Sequence, residues 1–115
     1  MPKNRRLTGD EMKNVRGTRT HGAFFTLMVA RIDGRQAKGA VVVSKKVAGK
    51  AVERNVIQRR ARSVLIPIIN PINEPLAVIL YAKQGAAQAS FLETKNDILK
   101  LVARVPALAG VTNTR

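Results

Sequence analysis

The chain has 115 residues, 45% of them hydrophobic and only 3% aromatic, with a formal net charge of +14. That length and apolar content point to one folded domain with a core of Val, Ile, Leu and Ala, and exclude a disordered polycation. The lack of cysteine excludes a disulfide framework, a thiolate zinc site and a cysteine nucleophile.

The charge is unevenly spread. Residues 1–62 hold 16 Lys and Arg against 4 acids, whereas residues 63–115 hold 5 against 3. A concentrated positive field costs self-repulsion in the folded state, so it points to a polyanionic partner, and nucleic acid is the first choice. A membrane surface fits less well, because no long helix pairs a basic face with large apolar anchors. No apolar run is long enough to span a bilayer, and "MPKNRRLTGDEM" has no apolar stretch behind its charge. A soluble, cytoplasmic protein is expected.

In chain order, residues 1–7 read as a mobile basic arm. Thr8 and Glu11 have capping-box spacing, and Asp10 and Glu11 suit the positive end of a helix dipole. They predict a short helix from Gly9 to about Arg16, with Met12 and Val15 on one face and Gly17 as a left-handed stop. "FFTLMVARI" at 24–32 reads as a strand, and Asp33-Gly34 begins a turn. A second strand is expected from Lys38 to Ser44, centred on Val41–Val43. A helix follows from about Lys50 to Ile66, ended by Pro67, and "PIINPINEP" at 67–75 reads as a loop.

"LAVILYA" at 76–82 is the third and most buried strand, and "KQGAAQA" is a second loop. Ser90 and Glu93 repeat the capping-box spacing and open a helix that turns Phe91, Ile98, Leu101, Val102 and Val105 inward. Pro106 closes it, and 107–115 read as a loose tail. The whole is an α+β, two-layer α/β sandwich with one mixed sheet, ordered helix, strand, strand, helix, strand, helix. The second and third strands, joined through a full helix, are expected to be parallel neighbours.

Charge is densest in "SKKVAGKAVERNVIQRRAR", Ser44 to Arg62, with seven Lys and Arg and one acid. On a helical wheel Arg54, Asn55, Gln58, Arg59 and Arg62 share a stripe about 140° wide. Ile57, Ala61 and Val64 lie opposite, the core-facing pattern. Arg60 and Glu53 fall near the apolar edge. A solvated surface is the ordinary reading of a charged helix, but such faces mix signs for i,i+4 support, and this one does not. Arginine forks match phosphate oxygens, and Asn55 can donate and accept toward bases or riboses. Lys45, Lys46 and Lys50 extend the patch into the preceding loop. There Gly49 either lets a phosphate approach the backbone or serves as a flexible connector.

This segment resembles the signature of the bacterial ribonuclease P protein subunit, roughly S-K-K-x-G-x-A-V-x-R-N-x-x-K-R-x-x-R. Ser44, Lys45, Lys46, Gly49, Ala51, Val52, Arg54, Asn55, Arg59 and Arg62 carry the match, with one extra residue before Gly49. A weaker likeness spans about residues 5–105. The resemblance implies a four-stranded sheet with three helices and a left-handed crossover through the arginine helix, where general rules give a right-handed one. The residues themselves reveal three strands.

A protein nuclease needs clustered carboxylates or a placed acid and base. Asp10, Glu11, Asp33, Glu53, Glu74, Glu93 and Asp97 form no cluster outside the Thr8 cap, and His21, the sole histidine, falls in an expected loop. The chain is therefore expected to be non-catalytic by itself. The resemblance implies that an RNA subunit with bound Mg²⁺ cleaves precursor tRNA and releases its 5′ leader. It implies RNA contact by Lys45, Lys46, Lys50, Arg54, Asn55, Gln58, Arg59, Arg60 and Arg62. It also implies a leader cleft between the first helix and the sheet, at Met12, Arg16, Phe25 and Met28, with no protein partner required.

Two departures stand out: Val56 replaces a usual basic residue and Gln58 a usual lysine, while Arg60 stands where the family is commonly apolar. The family cleft is lined with aromatics, so methionine there implies weaker leader contacts. The alternative is a structural or ribosomal RNA-binding protein, which would not account for the Ser44–Arg62 spacing. A DNA-binding helix-turn-helix lacks its first helix.

Overall fold

Alternating apolar residues build a sheet whose two faces have different fates. The computed structural model describes residues 6–9, 12, 17–106 and 108. Among them lie strands β1 (Thr18–His21), β2 (Phe25–Arg31), β3 (Lys38–Val42) and β4 (Leu76–Ala82), and helices α1 (Ala51–Ile69) and α2 (Phe91–Ala103). The four strands form one mixed sheet in the order β1-β2-β4-β3. The hairpin β1–β2 and the pair β2–β4 are antiparallel; β3 and β4 are parallel and joined through α1, as the sequence predicts.

Side-chain direction follows from the register. Phe25, Leu27 and Val29 face Ala82, Leu80 and Val78 across the ladder and join the core beneath the two helices. One residue out of phase, Thr26, Met28 and Ala30 lie with Tyr81, Ile79 and Ala77 on the other face. That face carries a smaller cluster, in which Leu7, Met28, Ala40, Ala77 and Ile79 are buried and Met12 packs at the edge.

The fourth strand is β1, whose "TRTH" pattern is too short and polar to announce itself. It is held by its hairpin partner, and Gly17 at its entrance shows why: a Cβ there would meet the Val29 carbonyl at 2.0 Å. Close approach to β2, rather than a left-handed backbone, requires this glycine.

Other expectations also change. α1 continues through Pro67 to Ile69. An interior proline costs about 3 kcal/mol, but burying Ile68 and Ile69 contributes about 1.5–3 kcal/mol each, so packing overrides the stop signal. Phe91 is 46% exposed and does not point inward, whereas Ile98, Leu101, Val102 and Val105 do. The Ser90–Glu93 capping box forms as expected.

At the N-terminal end, Arg6 bridges to Gly39 on the edge of β3, and Leu7 is only 3% exposed, so the expected arm ends in packed residues. Leu108, placed in the expected tail, is fully buried. Residues 1–5, Asp10, Glu11, residues 13–16, Ala107 and residues 109–115 lie outside the described residues. So does most of the predicted first helix, of which the turn closed by the Met12 amide on the Thr8 carbonyl is described.

Candidate nucleic-acid interface

The amphipathic pattern of α1 decides what it shows to solvent. Ile57, Ala61, Val64, Leu65, Ile68 and Ile69 are buried against the sheet and α2. The opposite side presents Asn55, Gln58, Arg59 and Arg62, which with Ser63 and Ile66 line a shallow open groove. Arg59 and Arg62 have no acidic partner among the described residues. Their forked donors stay available for an anion.

Arg54 has a second duty. Its guanidinium donates to the carbonyls of Ala48 and Gly49, at 3.0 and 2.9 Å, and so ties the loop before α1 to the helix. That loop is also closed by the Val47 and Ala48 amides on the Ser44 carbonyl, and Gln84 donates to the Lys46 carbonyl at 2.8 Å. Ala48 is buried, whereas Lys45, Lys46, Gly49 and Lys50 are exposed. The lysines thus sit on a fixed platform beside the arginine face. A Cβ on Gly49 would meet nothing within 4 Å, so the fold itself places no demand on glycine there. Arg60 leaves this face: it donates to the Ala89 carbonyl at 3.3 Å, in the segment just before α2.

The expected leader cleft is divided by the sheet. Met28 lies on the face away from the helices with Met12 at its edge, but Phe25 is on the helix-covered face and wholly buried. The pleat sends adjacent residues to opposite sides, so an odd-numbered β2 residue cannot line a cleft with Met28. Arg16 lies outside the described residues.

Arg19 and Tyr81 occupy that face instead. Arg19 pairs across from Met28, and its guanidinium stands over the Tyr81 ring, 5.4 Å from the centroid. Sequence reading missed both. Tyr81, the chain's sole tyrosine, shares the parity of Ile79 and Ala77, a signal that has meaning only once the two faces of the sheet are known. His21 is on β1 rather than in a loop, and its Nδ1 lies 3.1 Å from the Thr26 hydroxyl.

Among the described residues, no group of three His, Cys, Asp or Glu is placed to hold a metal ion, and no helix is long and apolar enough to cross a membrane. A protein-family model described as Ribonuclease P matches residues 1–106. A curated relative from Prochlorococcus marinus, named Ribonuclease P protein component, is 31% identical over 117 residues, covering 87% of this chain and 88% of its own. Another of the same name, from a Pseudanabaena species, is 24% identical over 97 residues and covers 84% of each chain. Among solved structures, the Staphylococcus aureus RNase P protein has the same fold, with a TM-score of 0.77 at 20% identity over 90% of this chain and 97% of that one.

Proposed function

The chain belongs to the ribonuclease P protein family, and from that membership we propose that it docks on the catalytic RNA through α1 and the Lys45–Lys50 loop. Membership makes it a component of a tRNA-processing endoribonuclease whose partner is the ribonuclease P RNA. The observation that carries the docking surface is the unpaired arginine pair, Arg59 and Arg62, beside lysines on a tied loop. Coulomb attraction to phosphates, with counterion release, supplies affinity, and Asn55 and Gln58 supply hydrogen bonds that fix register.

The accessible end of the sheet face away from the helices, at Arg19 and Tyr81, is the proposed site for the 5′ leader of precursor tRNA. A single strand needs a basic track and a ring on which a base can stack, and Arg19 with Tyr81 offers both. Met12, half-buried against the buried Met28, borders this site, which replaces the cleft first expected around Phe25. On this reading hydrolysis is the work of the RNA subunit and its Mg²⁺ ions, as the family resemblance implies. The protein's part is to hold leader and RNA together and to screen phosphate repulsion, which lowers the Mg²⁺ required. The setting for this work is the cytoplasm.

The test is timed release of the 5′ leader at low Mg²⁺ from purified chain, ribonuclease P RNA and precursor tRNA. Cleavage should need both macromolecules and should weaken when Arg59 and Arg62 are both changed to Ala. Tight RNA binding without stimulated cleavage would turn the reading to a structural RNA-binding role.

A further inference from the structure

On the flank of α1 away from the arginine groove lies a slot of about 210 Å³. Its floor and walls are apolar: Val52, Val56 and Ile57 of α1, with Ala86 and Ala87 of the turn before α2. Val52 is 73% exposed, and Phe91, one helical turn before the lining residue Thr94, is 46% exposed. Folding therefore leaves an apolar recess open beside the most basic part of a +14 chain. Single exposed apolar residues are ordinary, but Val52, Val56, Ala86 and Ala87 share one recess.

We propose that this slot receives one unpaired nucleobase, guanine in preference to the others, from the RNA that lies along α1. The proposal rests on the RNA-binding reading above for the identity of the polyanion. A base is the part of a polyanion with apolar faces and a polar edge, and RNA proteins read such splayed bases by contact with the ring and hydrogen bonds to its rim.

Size and rim chemistry select it further. The slot is smaller than the roughly 300–1,000 Å³ of drug-sized ligand sites, so it suits a single ring system. Arg60 stands at one end, its guanidinium held by the Ala89 carbonyl with further N–H donors to spare. Glu53 stands at the other, one carboxylate oxygen accepting from the Lys50 amide and the second remaining. The two are seven residues apart on α1, about 10 Å along the axis. Guanine presents acceptors, O6 and N7, on one edge and N–H donors on the other, which matches Arg60 and Glu53 together. The other bases also carry donors and acceptors, but an arginine fork is matched best by the adjacent O6 and N7 of guanine, so they should bind more weakly.

The experiment follows valine and alanine methyl signals of the full-length chain by NMR during titration with GMP, AMP and ribose 5-phosphate. GMP should shift the Val52, Val56 and Ala87 methyls saturably and AMP should do so more weakly, while ribose 5-phosphate should leave them unmoved. Ala87→Leu fills the slot and should weaken GMP binding about tenfold, the order of one lost base contact. Val52→Asn, at an exposed position, serves if Ala87→Leu disturbs the amide spectrum. Equal shifts from ribose 5-phosphate, or GMP binding unchanged in both variants, would overturn the slot. So would sedimentation showing that copies of the chain pair through it. Binding to ribonuclease P RNA is measured beside these titrations. Loss of that binding in the unmodified chain overturns the docking proposal, whereas intact binding with an unresponsive slot overturns the slot alone.

Discussion

The Asp97 carboxylate occupies the space beside Gly22 that any other residue's Cβ would need, with Oδ1 only 2.6 Å from that position. From there it accepts the backbone N–H groups of Ala23, Phe24 and Phe25 at 2.8, 3.0 and 3.0 Å. A buried side chain of α2 thus fixes the bend between β1 and β2, and with it the β1 edge of the sheet. Removing a partner strands buried donors, at about 1–3 kcal/mol for each group left unsatisfied. Asp97→Ala is expected to lower the urea midpoint at unchanged m-value, and Asp97→Asn to do so less, since one oxygen remains. An unchanged midpoint for Asp97→Ala would contradict this role.

The arginines of α1 should separate by a second measurement. Arg59→Ala removes an exposed, unpaired guanidinium, so thermal stability should hold while affinity for ribonuclease P RNA falls and its salt slope drops by about one. Arg54→Ala also releases the carbonyls of Ala48 and Gly49, so it should lower both affinity and thermal midpoint. Identical thermal midpoints for the two variants would argue against the loop tie.

Gly49 distinguishes packing from recognition. With nothing in reach of an added Cβ, Gly49→Ala should leave stability unchanged or raise it by about 0.4–1 kcal/mol through the unfolded state. RNA affinity should fall nonetheless, because the methyl group stands where a phosphate would meet the loop backbone. Full affinity would make Gly49 a plain connector.

Tyr81 is expected to act on substrate rather than on the RNA subunit. Tyr81→Ala should weaken binding of precursor tRNA by about fivefold or more, in keeping with about 1–3 kcal/mol per stacked base. Binding of tRNA without a leader should stay the same. Equal losses on both RNAs would place the leader elsewhere.

Much of this organisation is legible in the chain itself. The wheel of α1 separates Ile57, Ala61 and Val64 from Asn55, Gln58, Arg59 and Arg62, and the structure keeps that division. Ser90 and Glu93 announce the start of α2 because capping is a local bond between residues three apart. The runs "FFTLMVARI" and "LAVILYA" declare strands through composition alone, and the sheet places both at its centre.

Tertiary contact decided the rest. β1 exists because a partner strand satisfies its backbone, and Pro67 stays helical because Ile68 and Ile69 have a core to enter. The side of the sheet on which Phe25, Met28 and Tyr81 fall depends on strand register, where one residue's difference reverses every side chain. Local bonds and periodicities are written in neighbouring residues, but a face, an edge or a slot is made by residues far apart in the chain, and only folding brings those together.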